Sequence, residues 1–237
     1  MTSCGSGDPQ TTATEPEPAA EAVAETPTEA DPIASLRGEV AEASMSEAGE
    51  VAMAAEGATT YVLDTEASQV YWRGAKVAYD HYGTLDIAEG SFSVAEGQVS
   101  GGSISMDMTS IKNLDLEDPK KNGDLIGHLK SDDFFSVESH PVATFEVTGL
   151  TSGDAGTMIS GNLTIKGITH QVSFPAEVSL NEEGMSATAV FSFDRAKYDV
   201  RFNSGTFFEN LGDKLIEDQI GLYLDLKAAP EMMENAG

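Results

Sequence analysis

Histidines, carboxylates and one basic cluster are the residues whose types can do chemistry in this chain, and their spacing argues against most of it. His81, His128, His140 and His170 are scattered, with no two at separations that gather imidazoles around a metal ion. Asp118, Asn122 and Gly123 faintly follow the order of a calcium loop, yet Lys120 and Leu129 fall where such a loop needs oxygen ligands. Asp132 and Asp133 stand where they begin or cap a turn ahead of Phe134 and Phe135, and nothing beside them supports general acid–base work. His128 is placed to cap or orient that same turn. Arg195, Lys197 and Arg201 form the densest basic cluster; they either pair with carboxylates or meet a polar headgroup, and pairing is the simpler reading. No Gly-x-Ser-x-Gly, phosphate-cradling glycine loop or His-Glu-x-x-His occurs. The expectation is a protein with no catalytic residue, no metal and no cofactor.

Composition divides the elements that would carry any site. Residues 1–60 contain no Phe, Tyr or Trp and carry 12 acidic residues against a single basic one, Arg37. Such a stretch is expected to stay disordered, because it has too little apolar surface to offset the entropy of folding. Residues 61–229 hold every aromatic side chain, so one folded domain is expected over 61–230 and a short disordered tail over 231–237. Within the arm, Asp31 followed by Pro32 suggests the N-cap and first position of a helix running toward Ala55, although Gly38, Gly49 and sparse apolar residues weaken it. Of the 40 acidic and 13 basic residues, 28 and 12 lie beyond the arm. That balance argues against nucleic acid as a partner, and against electrostatic docking to anionic headgroups.

Cys4 has no second cysteine with which to form an internal disulfide. Thr2, Ser3 and Gly5 around it, ahead of a Pro/Glu/Ala/Thr-rich run, resemble a bacterial lipoprotein cleavage site, in which the cysteine becomes the lipid-modified first residue. The three residues before Cys4 do not supply the apolar stretch of a signal peptide, so this reading expects a longer precursor. Lipidation at Cys4 would make the arm a membrane tether reaching roughly 40 Å. No stretch approaches the roughly 18 consecutive apolar residues of a spanning helix.

From Tyr61 onward the apolar pattern has a period of two, the mark of strands with one face inward. Ile104, Met106 and Met108 alternate with Ser105, Asp107 and Thr109, and Phe145 and Val147 alternate with Glu146 and Thr148. Val172, Phe174, Ala176, Val178 and Leu180 repeat the pattern, as do Leu222, Leu224 and Leu226. Turn signals at Glu89-Gly90, Glu96-Gly97, 152–154, Lys166-Gly167 and 182–184 separate the runs without long helices between them. The prediction is an all-β fold, a barrel or a sandwich. Pro175 lacks a ladder donor, so its strand is expected at an edge, bulged, or open on that side.

Several separated blocks then resemble the YceI-like family. They are YVLDTEAS at 61–68 with VYW at 70–72, HYGT at 81–84, GHLKSDDFFSV at 127–137 with His140-Pro141, GNLTIKGITHQV at 161–172, and FDRAKYDVRF at 193–202 followed by NSG. The most distinctive is the third, read as a short charged helical turn that carries Phe134 and Phe135 and runs through His-Pro into a strand. One departure is GDLIGH at 123–128, where many members place Arg-Asp, so a headgroup contact carried by that arginine does not transfer to this chain.

The resemblance implies a lipocalin-like antiparallel β-barrel of about eight strands that carries or stores a long apolar isoprenoid-type lipid, such as an isoprenoid quinone, in the bacterial cell envelope. The ligand-facing residues it implies are Met106, Met108, Phe134, Phe135, Phe145, Val147, Leu163, Ile165, Phe174, Phe191, Phe193 and Leu224. The implied location is periplasmic, or anchored to the outer membrane as a lipoprotein, and the sequence is compatible with a homodimer. Two other classes stay open: an enzyme modifying a lipid headgroup, and an interaction protein whose barrel is filled by its own side chains. An eight-stranded barrel is just wide enough for either content.

Overall fold

The computed structural model describes Met1 and residues 31–153, 156–181 and 184–231. A first segment carries α1 (Pro32–Arg37), β1 (Ala41–Glu42) and β2 (Ser44–Glu47). The alternating region then gives β3 (Thr59–Leu63), β4 (Gln69–Ala75), β5 (Asp80–Leu85), β6 (Ile87–Ala95), β7 (Gln98–Asp107) and β8 (Lys112–Asn113). After α2 (Pro119–Lys130) come β9 (Val142–Gly153), β10 (Gly156–Ile165), β11 (Ile168–Asn181), β12 (Gly184–Asp194) and β13 (Gln219–Pro230).

The strands close on themselves. The pairing runs β12-β11-β10-β9-β7-β6-β3-β13, and β13 pairs again with β12. Along β13, β3 covers Ala228–Pro230 and β4 covers Gly221–Asp225, so β3 and β4 form one long strand bent at the turn 64–68. In the same way β5 and β6 form one strand broken at Asp86, β5 pairing with β4 and β6 with β3. The result is a closed eight-stranded antiparallel barrel in which the long strands follow one another around the wall. Closure removes the free edges that would otherwise template aggregation.

The period-two pattern explains what lies inside. Val172, Phe174, Phe191, Phe193, Leu163 and Val147 are all buried in one core cluster, while Ser173, Glu177 and Lys227 between such positions are not in it. Two glycines make room for rings on this inner face. A Cβ on Gly161 would collide with the Phe145 ring, and one on Gly83 would collide with Lys112 O and press on Trp72. The expected turns at Glu96-Gly97 and Lys166-Gly167 form with positive φ at all four residues. Glu89-Gly90 instead lies within β6, just after a bulge at Ala88, where the register shifts between Ile87 and Glu89, and the chain does not reverse there.

The disorder expected over residues 1–60 does not hold for their second half. Residues 31–58 are ordered against the barrel, and residues 2–30, with Cys4 among them, lie outside the described residues, as does the tail from 232. The helix begins as the sequence suggests, with the Asp31 carboxylate accepting from the N–H groups of Ile33 and Ala34, but it stops at Gly38 instead of running toward Ala55. Its Leu36 is buried against Gly221. Arg37 then forms a two-bond pair with Asp80, at 2.9 Å for each bond, and Asp80 also accepts from Arg73.

Beyond α1 the segment becomes part of the wall. β11 and β12 pair with each other only between Ala176 and Asn181 on one strand and Gly184 and Ala189 on the other. Where they splay, β1 pairs parallel with Phe191–Ser192 of β12 and β2 pairs antiparallel with 170–173 of β11, filling the gap. Pro175 sits at this fork, exposed, with Met158 of β10 on its other side, as expected of a residue without a ladder donor. Gly49 then exchanges two 2.8 Å hydrogen bonds with the Asn162 side chain, and Ala52 donates to Val147 O. Backbone pairing of this kind needs few apolar side chains, which is why composition did not reveal it.

Candidate functional site

A cavity of about 190 Å³ occupies one half of the barrel and opens at one end. Its wall comes from alternate positions on successive strands: Val70 and Trp72 on β4, His81 and Leu85 on β5, Met106 on β7, Leu163 and Ile165 on β10, Phe193 on β12, and Ile220 and Leu222 on β13. Met108 and Ile111 continue the wall just after β7.

Helix α2 forms a roof. Asp118 caps it by accepting from the N–H groups of Lys120 and Lys121, and Pro119 occupies the first helical position, where its missing N–H costs nothing. The Asn122 side chain ties the helix to β8 through Asn113 O and Leu116 O. Asp118, Asn122 and Gly123, the residues that echo a calcium loop, therefore build a helix. Leu125 and Leu129, one turn apart, look into the cavity. The expected short helical turn carrying Phe134 and Phe135 is thus a full helix ending at Lys130, followed by a turn that holds both rings. That turn is closed by Ser136 N–H to Ser131 O and Val137 N–H to Lys130 O, each 2.9 Å. His128 orients it as expected, edge-on to Phe134 at 4.9 Å and to Phe202 at 4.6 Å, with Nε2 3.1 Å from Asp133.

Of the twelve implied ligand-facing residues, seven meet at this cavity: Met106, Met108, Phe134, Phe135, Leu163, Ile165 and Phe193. Phe145, Val147, Phe174 and Leu224 line a second, smaller space of about 40 Å³ in the other half. Phe191 lies between the two. Its ring stacks on Phe174 at 3.8 Å and 5°, and Phe174 meets Phe145 at 5.7 Å, so the three rings form a floor beneath the larger cavity. Strand periodicity places ten of the twelve on the inner face, Phe134 and Phe135 being brought in by the turn after α2, but it says nothing about depth along the barrel axis, which is what separates the ten.

Sequence reasoning missed several lining residues. Trp72 and Val70 alternate with Tyr71 and Arg73 and were legible as inward-facing. Phe202 and Ile216 sit on irregular chain and gave no periodic signal. Arg195 is fully buried beside the cavity, its guanidinium donating to the carbonyls of Val200, Ile216 and Glu217 at 2.9–3.1 Å, with Asp218 3.3 Å away. Burial lowers its pKa against the opposing pull of Asp218 and Asp194, yet an arginine stays charged. It therefore locks the loops at the mouth, and pairing is its role. Arg201 likewise pairs with Asp199.

Polar groups facing the cavity are few. His81 Nδ1 lies 2.7 Å from Asp115 Oδ2; a carboxylate only accepts, so the proton sits on Nδ1 and Nε2 is left for other partners. Burial alone would raise the Asp115 carboxyl, but hydrogen bonds from His81, Asn113 and Tyr82 N–H outweigh it and hold it below the usual range. Trp72, the single tryptophan, has its indole N–H buried without a partner among the described residues. Among those residues no three His, Cys, Asp or Glu side chains gather closely enough to hold a metal ion, and no helix is long and apolar enough to cross a membrane.

Fold and site together define a closed up-and-down barrel with an apolar cavity in one half. Residues 61–228 match the YceI-like domain, and the chain belongs to that family. Its relatives include UPF0312 proteins of Azotobacter vinelandii, 34% identical over 125 residues, and of Pseudomonas putida strain KT2440, 32% identical over 137. The matched stretch covers 50% of this chain and 62% of the Azotobacter protein, and 56% and 66% for the Pseudomonas protein. Two solved structures share the fold. BcnA of Burkholderia cenocepacia gives a TM-score of 0.57 at 20% identity, covering 70% of this chain and 99% of its own. A polyisoprenoid binding domain from Saccharophagus degradans gives 0.53 at 16%, covering 73% and 99%.

Proposed function

We propose that the protein holds one isoprenoid-type lipid, with its chain in the larger cavity, and acts as a carrier or store rather than an enzyme. The observation that carries this reading is the cavity wall: residues from β4, β5, β7, β10, β12, β13 and the roof helix converge on it, nearly all apolar. Each buried CH2 of such a chain contributes about 0.8 kcal/mol. An oxygen-bearing head, as in an isoprenoid quinone, would find its partners among the polar side chains of the lining, with the unpartnered Trp72 N–H and His81 Nε2 the candidates; Trp72 and Gly74 of β4 stand opposite Gly83 and His81 of β5. The name of the Saccharophagus domain supports the ligand class. A barrel filled by its own side chains describes the other half, around Phe174, better than this one. The small-residue setting of Cys4 supports a lipid anchor and an envelope location; expressed from its full gene, the protein should leave the membrane fraction on Cys4→Ala.

Trp72 lies in the cavity wall and reports on it directly. Delipidated protein titrated with a short-chain isoprenoid quinone should show saturable quenching of its tryptophan fluorescence, and native mass spectrometry should show one bound ligand. Trp72→Phe keeps one six-membered ring and removes the N–H with the five-membered ring that carries it, so affinity by calorimetry should fall by at least about three- to ten-fold, one hydrogen bond's worth. No quenching and no mass shift would refute the reading.

A further inference from the structure

Large apolar side chains are exposed as a group around the mouth of the cavity, whereas others, such as Met53, Val62 and Met158, are exposed singly on other parts of the chain. Val77 and Tyr79, at the tip between β4 and β5, are 66% and 52% exposed, and Phe207 and Phe208 are 39% and 50% exposed. Leu114, at 53%, joins them where its N–H donates to Tyr82 O of β5. These segments are tied to one another. Lys76 and Ser204 both bridge to Ile216, and the N–H groups of Phe207 and Phe208 donate to Ser204 O at 3.2 and 3.0 Å. Lys76, Tyr79 and Ile216 also line the cavity, so the exposed collar is continuous with the cavity wall.

Two cations are built into the collar beside its rings. Lys76 Nζ lies 5.4 Å from the Tyr79 ring centroid and 3.3 Å from its hydroxyl, and the Arg201 guanidinium lies 4.9 Å over the Phe207 ring. Such pairs suit a boundary where rings and alkyl stems enter an apolar phase while the charge stays at its polar edge. In a chain of formal net charge −27, both cations lie in the collar.

We propose that this collar docks on the surface of a lipid bilayer, with the cavity mouth against the acyl region, so that the ligand passes between membrane and barrel without crossing water. This rests on the ligand class proposed above. The occupant is a bilayer because the collar rings an opening: a protein partner seated there would plug the cavity, whereas a bilayer continues its apolar interior. The surface is zwitterionic, since the acidic bulk of the protein is repelled by anionic lipid.

The test uses the full chain carrying Cys4→Ala, so that no covalent anchor contributes, and phosphatidylcholine vesicles. The protein should float with the vesicles. Val77→Ser with Phe207→Ser and Phe208→Ser should weaken flotation at least ten-fold while leaving quenching of Trp72 by detergent-dispersed quinone unchanged; none of the three lines the cavity. Val77→Asp alone should weaken it measurably with an unaltered melting curve. Flotation that survives both variants, or an unmutated collar that does not float, overturns the proposal. So does a dimer in analytical ultracentrifugation that the same substitutions dissociate, since the collar would then face a second copy. Flotation without quinone quenching would sink the ligand reading and leave docking standing; quenching without flotation would do the reverse.

Discussion

At the scale of single residues, the rings of Phe145, Phe174 and Phe191 and the His81–Asp115 pair make different demands on the chain. Phe174 is 2% exposed, stacked on Phe191 and tilted against Phe145. Phe174→Ala should therefore cost about 3–5 kcal/mol in urea unfolding. Quinone quenching of Trp72 should change little, because the floor bounds the larger cavity without forming its wall. A small stability loss joined to lost uptake would show that the ligand reaches through the floor. Asp115 titrates below its ordinary value of about 3.9 when folded. A group shifted down on folding adds stability above its unfolded pKa and loses it as pH falls through the folded one. Asp115→Asn should accordingly melt below the unmutated protein at pH 7, with the difference closing as pH drops beneath about 4. A gap that widens on acidification would show that other groups control this corner.

Among the elements, the segment 31–58 changes the account of how the barrel is held closed. It contributes Leu36 to the groove beside Gly221, two short strands to the gap between β11 and β12, and hydrogen bonds to Asn162 and Val147. Burial of Leu36 alone stabilises by about 1.5–3 kcal/mol, and the strand edges of Phe191–Ser192 and 170–173 would lose their partners without it. A chain starting at Thr59 should thus unfold at lower urea than the full protein, by at least about 2 kcal/mol. Equal stability of the two would mean that the wall closes without the segment. Helix α2 is a different kind of element, capped at Asp118, tied down by Asn122 and half-buried along its cavity face. It roofs the cavity without being part of the sheet.

For the molecule as a whole, the two halves of the barrel divide the work: one is packed by aromatic and aliphatic side chains, the other keeps open space beneath a roof. A ligand that binds the folded state alone stabilises it by mass action, about 2.7 kcal/mol at a hundred times its dissociation constant. Protein purified with its native lipid should therefore lose thermal stability on delipidation and regain it with added quinone. Unchanged melting through both steps would indicate that the open half is empty in use.

Read alone, the sequence determined the inward and outward faces of β7, β9, β11 and β13, the tight turns at Glu96-Gly97 and Lys166-Gly167, and the family, because these follow from local alternation and short motifs that need no knowledge of distant chain. The same cap signature, Asp followed by Pro, began both helices; it was read at Asp31 and passed over at Asp118, where weak similarity to a calcium loop obscured it. What only the tertiary structure decided is depth and partnership. A period of two does not say that Phe193 borders the open half while Phe174, on the neighbouring strand, is sealed in the packed one, since that depends on the stagger of strands around the closed barrel. Nor does composition show that an acidic, ring-free segment closes the gap between β11 and β12. Its hold on the barrel is mostly backbone hydrogen bonding, and every residue but proline carries that donor and acceptor alike.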